Sequence, residues 1–463
     1  MEPTAYAHFI GIGGAGVSGL ARVLHDRGLV VTGSDLKASR YATALQEAGV
    51  KVMIGHRAEN LGDPEVVVVS SAIPESNPEL AAARQRGIPV WPRAKMLAHL
   101  AGDDVALTVA GTHGKTTTSS MLAMAFDSIG LDPTFLIGGE LNDMGANARC
   151  GSGGYYVVEA DESDGSFLHM SPKVSLITNM EADHLDHYGS FEAIVDTFAE
   201  FISRTAADGV VIACADDERL AALARTHSPA RVLTYGLAEA ADIRCQDLEC
   251  DGRGHRFSVT FPDGSAVPVR IAVPGRHMAV NATGVLAAAW SLGLDVAGAA
   301  EALGRFSGVR RRFDRVGEVG GVTVVDDYAH HPTEVRATLA GAREAGYERI
   351  WVVFQPHRYS RTEALGAEFG SAFGDADRVV LMDVYSAGET PIPGVSGKTV
   401  LDALLLADAR AQAAYFPHRA DIEEYVASRT RPGDLVMTMG AGDVTTIGPE
   451  IVRALDARAG VTP

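Results

Sequence analysis

Short apolar runs, each stopping abruptly at glycine or at a burst of polar side chains, recur along the whole chain. Ala7 to Ile10 stops at Gly11-Ile12-Gly13-Gly14-Ala15-Gly16, and Val66 to Val69 at Ser70-Ser71. Thr108 to Ala110 stops at Gly111, Tyr155 to Val158 at Glu159-Ala160-Asp161-Glu162-Ser163-Asp164, and Val174 to Asn179 at Met180-Glu181-Ala182-Asp183-His184. Four more runs, Val322–Val325, Ile350–Phe354, Val379–Met382 and Leu435–Met439, empty in the same way into polar loops. Runs of this length read as buried strands, while stretches such as Val17 to Arg27 and Ser119 to Phe126 read as helices. Alternation of the two predicts an α/β protein with parallel sheets, whose ligands gather beyond the carboxyl ends of the strands. Breaks near Leu100–Asp103 and at Arg310-Arg311-Arg312 divide the pattern into three successive α/β domains, placed at 1–100, 101–312 and 313–463.

Chemistry enters just after the first of these breaks. Gly111-Thr112-His113-Gly114-Lys115-Thr116-Thr117 sits between a strand and a helix, the place where backbone N–H groups cradle phosphate. Lys115 supplies a point charge for the β and γ oxygens and the Thr116 hydroxyl a magnesium ligand, which predicts use of a nucleoside triphosphate. Two residues, rather than the usual four, separate Gly111 from Gly114, so the loop belongs to a shortened type. The carboxylates from Glu159 onward repel one another unless a cation joins them, and magnesium takes one or two carboxylates with phosphate oxygens. Glu159, first off its strand, is the leading ligand; His184 and His187 end a neighbouring strand and should meet it at one sheet edge. His277 and Asn281 lie four apart at a helix start, on one face.

The Gly11 to Gly16 turn, with Asp35 lying 19 residues beyond Gly16, has the form of a dinucleotide fingerprint. Taken alone it suits a nicotinamide oxidoreductase as well as any other nucleotide binder, although such an enzyme has no use for Lys115. In the third block Arg358 and Arg361 suit an anionic group. Composition narrows partners: 40 Lys plus Arg against 59 Asp plus Glu give a formal charge of -19, which disfavours nucleic acid and anionic membrane surfaces. Four cysteines without zinc-ligand spacing read as free thiols in a reducing compartment, and with no apolar run of membrane-spanning length the expected location is the cytoplasm.

Together, Gly-Thr-His-Gly-Lys-Thr-Thr-Thr, Glu-Ala-Asp-Glu-Ser-Asp, Asp-His-Leu-Asp-His and Asp-Asp-Tyr-Ala-His-His-Pro-Thr-Glu resemble the Mur ligases of peptidoglycan synthesis, over essentially the whole chain. The resemblance implies a Rossmann-like N-terminal domain, a P-loop central domain and a Rossmann-like C-terminal domain. It implies ATP and magnesium as cofactors, and L-alanine ligated to UDP-N-acetylmuramate through an acyl phosphate, by a monomer or homodimer whose partners are small molecules. By matching position, Gly11, Gly13, Gly14, Gly16, Asp35, Ser70 and Ser71 would hold the UDP-sugar. Gly111, Thr112, His113, Gly114, Lys115, Thr116 and Thr117, with His277, Asn281 and Arg312, would hold ATP. Thr116, Glu159 and His184 would hold metal, and Lys115, Glu159, His184 and Arg312 would act in catalysis. Asp327, Tyr328, His330, Arg358 and Arg361 would shape the amino-acid side. A tripeptide ligase of the same family shares most of these motifs; the detail at Asp326–Glu334 and Asp383–Glu389 favours alanine. The carbamylated lysine of several other members has no counterpart, because no lysine occurs between Lys173 and Lys398.

Overall fold

The computed structural model describes residues 5–460 apart from 71, 164 and 253, so Ser71 and Asp164 of the expected sites lie outside the described residues. Its strands form three sheets, each built from the apolar runs. In the first, five parallel strands run in the order Lys51–Ile54, Val30–Asp35, Tyr6–Ile10, Val66–Val69, Val90–Pro92. The chain starts in the middle strand and builds outward on both sides. The loops after Tyr6–Ile10 and Val66–Val69 therefore diverge and leave a crevice between them, and these are the loops that open with Gly11 and Ser70.

The second sheet places Val105–Ala110 between Tyr155–Glu159 and Val174–Ile177, parallel to both. Val210–Cys214 is buried along its whole length, as expected of a parallel strand covered on both faces. Four strands between residues 231 and 271 continue this sheet where the sequence pattern assigns none. Ile243–Asp251 shows why: its charged residues interrupt the apolar positions, and only Ile243 and Cys245 are buried. In the third sheet Val322–Asp327, Asp434–Met439, Arg349–Phe354, Arg378–Met382 and Ala413–Phe416 are parallel, and Asp314–Val319 pairs antiparallel at one edge.

The chain clusters into two compact units. One comprises residues 1–245, 259–267 and 281–303, the other 246–258, 268–280 and 304–463. All four cysteines are free. No helix among the described residues is long and apolar enough to cross a membrane.

Candidate functional site

In the first unit the strand Val105–Ala110 delivers the chain into Gly111–Gly114, and the helix Lys115–Ser128 begins directly after it. Gly111 (φ +130°) and Gly114 (φ +79°) both take backbone conformations that L side chains rarely adopt. A Cβ on Gly111 would stand 2.1 Å from Thr178 Oγ1, so glycine is required for close approach as well. The neighbouring strand end grips the loop: the His113 amide donates to Asn179 Oδ1 at 2.8 Å, and Thr178 Oγ1 donates to the His113 carbonyl at 2.6 Å. The Glu181 amide donates to Thr112 Oγ1 at 2.8 Å. Asn281 stands over Gly114, its amide group 3.2 Å from the place a Cβ would occupy there.

The acids meet this loop as the strand order requires. Thr116 Oγ1 donates to Glu159 Oε1 at 2.9 Å, and the Gly138 amide donates to Glu159 Oε2 at 2.7 Å. Lys115 Nζ donates to the carbonyls of Gly111 and Thr112 and lies 2.8 Å from Glu162 Oε2. Burial opposes charge on Lys115, but Glu162, Asp161 and Glu159 outweigh it and hold the ammonium proton more tightly than usual. Glu162 is enclosed with only 3 % of its side chain exposed, and burial pushes its carboxyl upward against the pull of Lys115. Burial opposes charge on Asp161 too, yet Lys115 and the Ser163 amide keep its carboxyl below the ordinary range. His184 has a left-handed backbone (φ +53°), and its Nε2 lies 4.0 Å from Glu162 Oε1 and 3.6 Å from Asp183 Oδ2.

At the first sheet, the amides of Gly11 and Ile12 donate to the Ser34 carbonyl at 2.8 and 3.0 Å. The Gly13 amide donates to Asp35 Oδ2 at 2.9 Å, so this carboxylate braces the turn itself. A cavity of about 340 Å³ opens beside the turn; Gly11, Gly14, Gly16 and Ser70 line one side, Glu159 and Asp161 the other. Arg93 and Asn147 also line it. Neither stands out in the sequence, because Arg93 merely starts the helix Arg93–Leu100 and Asn147 lies in the short strand Ala146–Arg149. Only folding brings them here: Asn147 Nδ2 donates to the Ala15 carbonyl at 3.1 Å.

The second unit gathers most of its expected residues. Tyr328 and His330 stack edge to face, and the guanidinium of Arg312 lies 4.9 Å from the Tyr328 ring centre. Arg312 Nη1 is 3.6 Å from Glu334 Oε1. His357 lies between the His330 and Tyr385 rings, and Arg361 Nη1 approaches its Nδ1 at 3.4 Å. Arg358 has φ +69° and its amide donates to the Tyr385 carbonyl. Asp327 is buried, with its oxygens on the amides of Phe313 and Ala329, which makes it a support for the loops. The imidazole at position 357, unmarked in the sequence reading, thus becomes the centre of the cluster.

Burial pushes His277 and His357 down to about 4 and Asp327 up to about 6. A histidine whose folded pKa is depressed gives stability that is present above about pH 6.5 and lost as the pH falls toward 4, because the unfolded chain takes up the proton first. Asp327 works in the opposite sense between about 6 and 3.8. Glu162, which burial pushes up to about 7, acts in the same sense as Asp327, so the four shifts nearly cancel and thermal melts should change little between pH 6.5 and 4, whereas Asp327→Asn, which removes one offset, should make stability fall over that range. A profile for Asp327→Asn as level as that of the parent protein would count against the buried neutral imidazoles.

Comparison with known proteins matches three family models in succession. They are the Mur ligase family, catalytic domain, over residues 6–104, the Mur ligase middle domain over 109–289 and the Mur ligase, glutamate ligase domain over 311–442. A UDP-N-acetylmuramate--L-alanine ligase of Saccharopolyspora erythraea is 50% identical over 98% of this chain and 94% of its own length. One from Rubrobacter xylanophilus is 49% identical over 97% and 99%. Among solved structures, the UDP-N-acetylmuramate-alanine ligase of Thermotoga maritima superposes with a TM-score of 0.82 at 29% identity, covering 98% of this chain and 100% of that one. A murein peptide ligase from Psychrobacter arcticus reaches 0.72 at 26%, covering 98% and 99%.

Proposed function

Because this chain belongs to the Mur ligase family, we propose that it joins L-alanine to the carboxylate of UDP-N-acetylmuramate in an ATP-dependent ligation, releasing ADP and phosphate. The observation that carries this reading is the cavity between the Gly11–Gly16 turn and Glu159 and Asp161, which lets one end of a substrate rest on the turn while the other reaches the acids beside Lys115. In this reading residues 1–100 bind the UDP-sugar, 101–312 bind ATP and 313–463 receive the amino acid. The oxidoreductase reading loses its support, since a hydride transfer has no use for the loop at Lys115.

Attack of a carboxylate on a polyphosphate brings anions together, so catalysis is mainly positioning and charge stabilisation. Lys115 and the amides of Gly114 to Thr117 at the helix start would cradle the β and γ phosphates, with Arg312 adding charge at the γ end. His277 and Asn281 would border the adenine. Thr116 and Glu159 bring a hydroxyl and a carboxylate oxygen within 2.9 Å of each other, a donor pair that fits a hard, oxygen-seeking cation. Magnesium bound there would neutralise phosphate charge. Glu159 with His184 would serve a second ion. The carboxylate's attack on the γ-phosphorus would expel ADP, and the amine of alanine would then attack the acyl carbon of the resulting acyl phosphate, forming the amide and expelling inorganic phosphate as the amine gives up its proton; the carboxylate of alanine suits Arg358 and Arg361 beside Tyr328 and His330.

Mass spectrometry of a mixture of UDP-N-acetylmuramate, ATP and magnesium with equal L-alanine and L-Ala-D-Glu-diaminopimelate tests the reading directly. The expected product carries one alanine, with ADP release dependent on both acceptor and amine. A tripeptide product would overturn the amino-acid assignment, and reduction of NAD without ADP would overturn the class. Since one methylene is worth about 1 to 3 kcal/mol in a pocket, glycine and serine should be poor substrates rather than excluded ones.

A further inference from the structure

Glu79 lies in the first turn of the helix Pro78–Gln85 and is fully buried, yet neither the phosphates nor the acceptor have any use for it. Four donors saturate its carboxylate. His8 Nε2 and Ser34 Oγ reach Oε2 at 3.1 and 2.6 Å, and the Arg57 amide and Asn60 Nδ2 reach Oε1 at 2.9 and 2.7 Å. No lysine or arginine side chain pairs with it among the described residues. Burial opposes its charge, but the bonds from His8, Ser34, Asn60 and the Arg57 amide overcome that and hold the carboxyl down to about 2. A buried carboxylate of this kind is costly unless each oxygen is satisfied, so the four donors are tied to one arrangement.

That arrangement reaches the crevice. Ser34, whose hydroxyl donates to Glu79, uses its carbonyl to accept the amides of Gly11 and Ile12, the first two residues of the glycine turn. With the Ser34 proton committed to Glu79, His56 Nδ1, 2.9 Å from Ser34 Oγ, must be the donor in that pair. On the other side His8 donates its Nε2 proton to Glu79, and its Nδ1 lies 2.8 Å from Thr32 Oγ1. One carboxylate thus ties together the strands Tyr6–Ile10 and Val30–Asp35, the 55–60 loop and its own helix.

We propose that Glu79 is a positioning residue of the UDP-sugar seat, holding the Gly11–Gly16 turn through Ser34 and fixing the orientation of His56, with a proton on its Nδ1. The inference rests on the assignment of that turn to the UDP-sugar. Glu79→Gln keeps the shape but turns an amide NH2 toward two groups that are themselves donors. UDP-N-acetylmuramate binding to the full chain, measured by calorimetry, should weaken about 10-fold or more, while ATP affinity stays within about twofold. Ser34→Ala, which keeps the buried charge, should weaken the UDP-sugar in the same selective way and serves if Glu79→Gln fails to fold. A folded variant of either kind with unchanged UDP-sugar affinity overturns the proposal, as does an equal loss for both ligands, which is what general loosening of the fold would give. If the unaltered protein itself binds no UDP-sugar, it is the functional reading that fails, a result distinct from the other two.

Discussion

Lys115→Ala is expected to lower ADP release and acyl-phosphate formation by about 100-fold or more while leaving UDP-N-acetylmuramate affinity nearly unchanged. The side chain sits at the first position of its helix, its ammonium wedged between the carbonyls of Gly111 and Thr112 and the carboxylate of Glu162. In the proposed reaction, attack on the γ-phosphorus concentrates negative charge at this point, so the loss should fall on the rate. The glycine turn proposed to seat the UDP-sugar, by contrast, is braced by Ser34 and Asp35 on a different sheet. Removing one partner of a buried ion pair also costs stability, of order 3 to 5 kcal/mol where the remaining charge cannot be neutralised. Glu162, its carboxyl already pushed upward by burial, would take up a proton and soften that loss. Rapid-quench measurement of acyl phosphate alongside calorimetry for the UDP-sugar separates the effects. An equal fall in UDP-sugar affinity would show that the two sites are not the separate elements proposed.

Glu159→Ala should raise the magnesium concentration needed for half-maximal rate by at least about 10-fold, the scale seen even for groups one step removed from a metal. Glu159 ends its strand beside the phosphate loop, and its two oxygens face Thr116 Oγ1 and the Gly138 amide. Loss of the carboxylate would remove the proposed oxygen ligand while the strand that carries it, buried from Tyr156 to Val158, stays packed. Titration of initial rate with magnesium at saturating ATP reads the change. A magnesium dependence identical to that of the parent protein would remove Glu159 from the metal site. Thr116→Val, which deletes the partner hydroxyl at nearly constant volume, should move the curve the same way by a smaller amount.

Much of this was legible in the chain because strand and loop chemistry are local. An apolar run ending at Gly111 already forces a turn that only glycine tolerates, and Lys115 follows it at the helix start whatever the rest of the molecule does. The runs ending at Glu159 and Asn179 announced their strands, and the rule that ligands gather at carboxyl ends foretold that Thr116 and Glu159 would meet. The α/β class and the family followed from the same motifs. What the sequence left unread was set by partners distant along the chain. Ile243–Asp251 became a strand because it lies hydrogen-bonded between Arg231–Gly236 and Gly254–Thr260, not because its own residues alternate cleanly. Asp35, legible as a ribose partner, was turned by tertiary structure onto the Gly13 amide. Arg93, Asn147 and Glu79 carry no local signal at all: each is an ordinary helix or strand residue until a second sheet, or four donors from separate segments, closes around it. A motif encodes what contiguous residues do to the backbone, whereas a cavity wall or a saturated buried carboxylate depends on which distant groups arrive, and that is decided only when the sheets have formed.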